Sequence, residues 1–150
     1  MANIACVFAH PDDEAFGPGG TIAKLAKDNK IHLICCTDGD HKNSGLKNIR
    51  GQELLASAEI LGVKQVHFLD FVDGSLCNNL YHQLANKIKE KLDKIKPETI
   101  ITFAPDGVSG HIDHITVTSV LDWLFDKLDY AKKIMYVVMT KDERARIDDY

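Results

Sequence analysis

The sequence predicts a three-layer α/β sandwich, with a mostly parallel five-stranded sheet and helices on both faces. Three observations predict it. Short apolar runs alternate with longer segments whose apolar residues recur at helical spacing, five of the first to four of the second, an order that implies right-handed βαβ crossovers. The 150 residues suit one domain with one good-sized core. Two charged clusters follow the first and the fourth apolar runs, at strand C-termini where open α/β sheets bind ligands.

In order, residues 4–9 read as a buried strand. His10-Pro11-Asp12-Asp13-Glu14 follows, then Gly17-Pro18-Gly19-Gly20, whose spacing matches neither G-x-G-x-x-G nor the P-loop and which reads as a close-packed helix start. Ile22, Ala23, Leu25 and Ala26 give a short amphipathic helix over 21–28. Residues 31–36 are a second strand, ending in the polar turn Thr37-Asp38-Gly39-Asp40, and 41–47 form a loop. A helix over 49–61 carries Leu54, Leu55, Ala58 and Leu61, and Gly62 stops it. Strand three covers 66–69, with a loop over 70–75. The helix over 79–95 places Leu80, Leu84, Ile88, Leu92 and Ile95 on one face, and Pro97 closes it. Strand four is 99–103, and a turn-rich loop over 104–110 leads to His111-Ile112-Asp113-His114. A helix from there to about residue 129 carries Ile115, Val117, Val120, Leu121, Leu124 and Leu128. Residues 133–139 are strand five. The tail over 140–150 is charged and reads as an exposed end or the start of a truncated region. There is no internal repeat, low-complexity segment or linker, and the alternation is Rossmann-like.

Composition narrows the function. A net charge of −4 without a Lys/Arg stripe argues against nucleic acid as the main partner. No apolar run approaches the ~20 residues of a membrane span. Met1-Ala2-Asn3 leads straight into the first strand, so no signal peptide is expected. Cys6, Cys35, Cys36 and Cys77 contain no Cys-x-x-Cys pair; three lie in strand-like runs as inert, buried thiols, and a reducing cytoplasm fits. Adjacency of Cys35 and Cys36 disfavours their sharing one metal.

The chemistry lies in the two clusters, His10, Asp12, Asp13 and Glu14 after strand one, and Asp106, His111, Asp113 and His114 after strand four. Acids crowded beside a histidine repel one another unless a cation or hydrogen-bond donors compensate. His111 and His114, three apart at a helix start, share a face. A mixed His/Asp set with no thiolate suits Zn²⁺ or another divalent transition metal. Three protein ligands leave one position open, and the spare carboxylates and histidine supply a base and an oxyanion donor for hydrolysis. These residues alone leave open which histidine binds metal. Blander readings exist for each. His10 with Asp13 would cap the first helix, and His111 with Asp113 would cap the fourth. His32 and His67 read as packed or edge residues, and neither His41 nor His82 gains a role.

His10-Pro11-Asp12-Asp13-Glu14 and the stretch from Pro105 to His114 resemble the two signatures of the LmbE-like family, the group that includes N-acetylglucosaminylphosphatidylinositol de-N-acetylase and bacterial thiol-biosynthesis deacetylases. Arg50-Gly51-Gln52-Glu53 and Leu61-Gly62-Val63 resemble the family's intervening helix and its end. The resemblance runs from about Ile4 to the fifth strand. It implies zinc held by His10, Asp13 and His114, with Asp12 as general base for the attacking water. It makes His111 the group that stabilises the oxyanion, with Asp113 orienting or charging His111. It places Arg50 near the substrate, held by Glu53. Glu14 becomes structural support.

The implied reaction removes an N-acetyl group from an amino sugar or its conjugate, of N-acetylglucosamine type. Alternatives are another metal-dependent hydrolase such as a phosphoesterase, or a non-catalytic metal-binding module. Two departures stand out. Ile112 occupies a position where the family usually has proline, which a helix's first turn favours but does not require. Family members also usually continue past the fifth strand, so the expectation is one domain over 1–150, with truncation at its C-terminus left open. A homo-oligomer is neither supported nor excluded.

Overall fold

The computed structural model describes residues 1–41 and 44–143. Strands β1 (Asn3–Phe8), β2 (Lys30–Thr37), β3 (Gln65–Phe71), β4 (Thr99–Phe103) and β5 (Lys133–Val137) form a sheet in the order β3-β2-β1-β4-β5. Every neighbouring pair is parallel, so the expected "mostly parallel" sheet is fully parallel here. The helices are α1 (Asp13–Phe16), α2 (Gly19–Leu25), α3 (Lys47–Ile60), α4 (Tyr81–Ile95) and α5 (Ile112–Phe125), with a 3₁₀ turn at Asn78–Leu80.

The pleat of β1 explains the three layers. Its side chains alternate between faces. Ala5, Val7 and Ala9 join Leu84, Ile88 and Leu92 of α4 and Val117, Leu121 and Leu124 of α5 in one core. Ile4, Cys6 and Phe8 join Ile22 of α2 with Leu54 and Ala58 of α3 in the other. A strand covered on both faces must be apolar at every position, which is why residues 4–9 show no polar alternation. The thiols of Cys6, Cys35 and Cys36 are buried, and burial pushes that of Cys6 up to about 12.

The element bounds differ from the sequence reading in ways the packing explains. The first signature contains a helical turn of its own, α1, hidden in the sequence by its proline and consecutive acids. The next helix starts at Gly19 and ends at Leu25, so it is shorter and earlier than 21–28. Strand β5 ends at Val137, where its pairing with Phe103 of β4 ends. Strand β3 runs on to Phe71 because Thr37 of β2, past a bulge, still pairs with it. Helix α5 stops at Phe125 rather than near residue 129. Part of the loop expected over 41–47, and most of the tail expected over 140–150, lie outside the described residues. No helix among the described residues is long and apolar enough to cross a membrane.

From β1 the chain winds outward through β2 to β3, then returns to the other side of β1 as β4 and β5. The winding reverses between β1 and β4, and their C-terminal ends open a crevice there. Both signatures lead into it.

Candidate metal centre

His10 leaves the end of β1 and is held before the chain turns. Its backbone N–H donates to Asp13 Oδ2 at 2.7 Å. Asp12 adopts a left-handed backbone, φ 108°, which L residues avoid. Its N–H donates to Glu14 Oε2 at 3.0 Å, so the buried Glu14 carboxylate braces the strained turn. That is the supporting role expected of Glu14. The turn directs His10 and Asp13 inward and leaves Asp12 exposed.

The second half of the centre comes from the start of α5. His114 lies in its first turn, stacked on Phe103 with ring centroids 4.1 Å apart. Its Nδ1 lies 3.0 Å from the Gly107 carbonyl, a bond that puts the proton on Nδ1 and frees Nε2 as a ligand. Asp113 is buried and accepts from the N–H groups of Gly74, at 2.8 Å, and Leu76, at 3.0 Å. Its Oδ2 also lies 3.1 Å from His10 Nε2.

Across the crevice the donors converge. His10 Nδ1 is 3.0 Å from His114 Nε2 and 3.6 Å from Asp13 Oδ2, and His114 Nε2 is 3.3 Å from Asp13 Oδ1. A tetrahedral ion with ligands at ~2.0–2.2 Å would set its donors roughly 3.3–3.6 Å apart. The spacings approach that range, with Asp13 facing His10 through Oδ2 and His114 through Oδ1, so a single Asp13 oxygen becomes the ligand when the carboxylate turns toward the ion. Two groupings, with one donor from each residue and all donors within 4.8 Å of one another, share His10: His10, His111 and His114, and His10, Asp73 and Asp113.

The electrostatics suit a cation. Burial works against charge on His10, but hydrogen bonds to Asp113 and Asp13 outweigh it and raise the imidazole to about 9. Burial likewise opposes the charge on Asp13, and the hydrogen bonds from His10 and His114 still hold its carboxyl down to about 2. The negative field that retains a proton on His10 is the field that would favour a divalent cation.

Flanking this triangle are Asp12 and His111. Burial and the charge of Asp13 push the Asp12 carboxyl up, against the pull of Arg50. A carboxylate with a raised pKa is the better base. His111 is the N-cap of α5, and its Nδ1 accepts the Asp113 N–H at 3.2 Å. Burial, then the charges of His10 and His114, lower its pKa. The neutral ring therefore carries its proton on Nε2, as a donor.

Of the seven residues expected to bind metal, catalyse or contact substrate, six, His10, Asp12, Asp13, Arg50, His111 and His114, line one polar pocket of about 270 Å³, and the seventh, Asp113, contacts it through His10. The Asp113 carboxylate hydrogen-bonds His10 and acts on His111 through its charge, which works to raise that ring's pKa, while its backbone N–H donates to His111 Nδ1. Arg50 is held not by Glu53, which is exposed, but by the Gly39 carbonyl at 2.8 Å, the Pro11 carbonyl, Asp12 Oδ2 at 3.0 Å and Asp73 Oδ2 at 3.2 Å. Asp106 accepts the Val108 N–H at 3.0 Å within its own loop.

Sequence reasoning missed Asp73. It lies in the loop after β3 and joins His10 Nε2, at 3.2 Å, to Arg50 Nη1. Its one signal was position, at the C-terminal end of a third parallel strand. Asp13 and His114 also border a second, mostly apolar cleft of about 610 Å³, walled by Phe16, Phe103, Val108, Val137 and Met139.

This arrangement has relatives. The family model described as PIG-L, GlcNAc-PI de-N-acetylase, matches residues 5–124. A 1D-myo-inositol 2-acetamido-2-deoxy-alpha-D-glucopyranoside deacetylase of Corynebacterium glutamicum is 33% identical over 147 residues, covering 76% of this chain and 49% of its own. Diacetylchitobiose deacetylase of Thermococcus kodakarensis is 35% identical over 125 residues, covering 76% of this chain and 45% of its own. Among solved structures, the inhibitor complex of N,N'-diacetylchitobiose deacetylase from Pyrococcus horikoshii superposes with a TM-score of 0.71 at 29% identity, over 79% of this chain and 47% of that one. The chain spans about half the length of the curated relatives it matches. With both signatures converging and 120 residues under the family model, the chain belongs to the PIG-L, or LmbE-like, GlcNAc-PI de-N-acetylase family.

Proposed function

We propose that this protein is a zinc-dependent N-deacetylase that hydrolyses the acetamide of an amino sugar or its conjugate, of N-acetylglucosamine type. The observation that carries the reading is the donor triangle of His10 Nδ1, Asp13 and His114 Nε2, with one base and one oxyanion donor beside it. We assign the metal to those three residues. Bound there, zinc supplies a Lewis acid for the amide oxygen and lowers the pKa of water.

The remaining steps belong to the chain's own groups. Asp12, exposed on its left-handed turn, takes the proton from the attacking water. Arg50 fixes that carboxylate through Nη2 and closes the polar pocket where sugar hydroxyls would bind. His111 presents a neutral Nε2–H as a hydrogen-bond donor to the developing oxyanion, and Asp12, carrying the proton taken from the attacking water, passes it to the leaving amine. Asp113 and Asp73 hold His10 by Nε2, which leaves Nδ1 to the metal. Acetate and the free amine are the products. The relatives' activities, deacetylation of a 2-acetamido-2-deoxy-glucopyranoside and of diacetylchitobiose, support this chemistry. The free, buried thiols support a cytoplasmic setting.

Acetate release from a panel of N-acetyl sugars, with and without chelator, tests the proposal. Release that the chelator abolishes is expected, and no release from any sugar with stoichiometric zinc would overturn it. The grouping of His10, Asp73 and Asp113 favours one competitor, a two-metal phosphoesterase. Against it, Asp113 already accepts from Gly74 and Leu76, and Asp73 from Arg50. A metal-to-protein ratio of two would reverse that preference.

A further inference from the structure

Asp12 and Arg50 each line two cavities. One is the polar pocket of about 270 Å³ that holds the donor triangle. The other, about 190 Å³, lies between α1 and α3, where Glu14 and Ala15 face Glu53, Leu54 and Ser57. Arg50, Glu53, Leu54 and Ser57 recur at helical spacing, so one face of α3 forms its wall. The second cavity adjoins the first across the base and the guanidinium.

We infer that the adjoining cavity receives the group attached to the amino sugar, that this group bears hydroxyls and no negative charge, and that Glu53 is the residue that turns anionic conjugates away. The inference rests on the deacetylase reading and deepens it. With the acetamide at the donor triangle, the sugar ring fills the polar pocket beside Arg50 and Asp73. What the sugar carries extends out of that pocket, and the cavity beyond Arg50 offers it polar walls and the Ser57 hydroxyl.

The charge of the walls sets the class of that group. Asp12, Asp13 and Asp73 line the polar pocket, Glu14 and Glu53 line its neighbour, and Arg50 is the one lysine or arginine among the described residues that line either. Both ends of its guanidinium are spent on carboxylates, Nη1 on Asp73 Oδ2 at 3.2 Å and Nη2 on Asp12 Oδ2 at 3.0 Å. It is therefore no free receptor for a phosphate or a carboxylate. Lys47, one turn earlier on α3, is held by Asp70 at 2.9 Å. A divalent ion and Arg50 together would offset three of the five carboxylates, so the walls stay negative with the ion bound. Glu14 is buried and occupied by the Asp12 N–H, whereas Glu53 is exposed and turned from Arg50. An anion entering the cavity meets like charge, while a hydroxyl meets acceptors.

The test measures acetate release by the zinc-loaded protein from the hydroxyethyl, aminoethyl and carboxymethyl glycosides of N-acetylglucosamine, which differ little in size and wholly in charge. At low salt the carboxymethyl glycoside should have a kcat/KM roughly tenfold below the hydroxyethyl one, with the aminoethyl one at or above it. The gap should narrow as salt screens the walls. Glu53→Lys, made at an exposed position, should raise the carboxymethyl glycoside to the level of the hydroxyethyl one and leave the methyl glycoside as in the parent. Calorimetry of the matching glucosamine glycosides gives a readout independent of turnover and should repeat the order. A carboxymethyl glycoside cleaved as fast as the hydroxyethyl one by the parent would overturn the inference and leave the deacetylase reading intact. So would a charge order that Glu53→Lys does not move, because the attached group would then lie elsewhere. No acetate from any glycoside overturns the deacetylase reading, and the inference with it.

Discussion

Asp113 Oδ2 lies 3.1 Å from His10 Nε2, joining the two signatures across 103 positions of sequence. The carboxylate is fixed from behind by two backbone N–H groups of the loop after β3, so it orients His10 rather than following it. Partners of this kind typically matter ~10–100-fold in metal affinity. Asp113→Asn should weaken zinc binding by about that factor in a chelator competition, with the circular dichroism of the folded protein retained. An unchanged affinity would limit Asp113 to capping α5.

Ligands and base should separate cleanly. His10→Ala and His114→Ala are expected to abolish stoichiometric zinc, measured by metal analysis of the purified proteins. Asp12→Ala should keep the metal and lose ~10²–10⁴-fold in kcat, the range for a general base. Loss of zinc in that variant would instead make Asp12 a ligand.

Arg50 holds four groups with one guanidinium, a task that a lysine ammonium cannot reproduce. Arg50→Lys should leave metal content unchanged. Its kcat should fall roughly ten- to a hundredfold as Asp12 loses its fixed position. A change confined to KM would show that Arg50 only binds substrate.

Gly107 has φ +70°, and a Cβ there would lie 2.9 Å from Ile115 Cγ1 and 3.1 Å from both the His111 carbonyl and His114 Cβ. Gly107→Ala combines that crowding with a strained backbone, a cost of about 1–3 kcal/mol. The melting temperature should drop by roughly 2–4 °C for each kcal/mol. Zinc affinity should fall too, because the Gly107 carbonyl holds His114. A variant as stable as the parent would contradict the packing described.

Away from the centre, His32 and His67 stack on adjacent strands with centroids 5.8 Å apart. His32 Nδ1 and His67 Nε2 are buried without a partner among the described residues. Burial, then Lys64 and Lys30, lower the pKa of His32; burial, then His32, Lys91 and Lys94, lower that of His67. The unfolded chain therefore takes up these protons first as pH falls below ~6.5, and stability is lost between there and the folded values. His10, whose raised pKa adds stability as pH falls, is common to both proteins, so between about pH 7.5 and pH 5 the change in denaturant midpoint should be less unfavourable in the double variant His32→Asn/His67→Asn than in the parent. An equal change in both proteins would remove the pair from the explanation.

The ligand triangle was legible in sequence because its residues come as two compact motifs at strand ends. The sheet was legible because strands buried on both faces leave unbroken apolar runs, as in residues 4–9 and 31–36. What stayed hidden was pairwise. Asp73 belongs to no motif, and only the β2–β3 pairing carries its loop to His10. Helix periodicity cannot show that Arg50 reaches back to Pro11 and Gly39 instead of along its own helix to Glu53. The strained turn at Asp12 likewise exists only once Glu14 is buried beneath it.

Strands β1 and β4 pair only over residues 4–6 and 99–101, whereas β1 is matched to β2 along its entire length. The crevice is therefore the place where the backbone ladder has already ended, and side chains alone carry the join beyond it. His10, Asp13, Asp113 and His114 act as a clasp across that join. An ion held between them would tie the first two-thirds of the chain to the last third. Hydrogen exchange at Ile4–Phe8 and Thr99–Phe103 should slow when zinc is added, and the same residues that perform chemistry would then set how often the sheet parts along its middle.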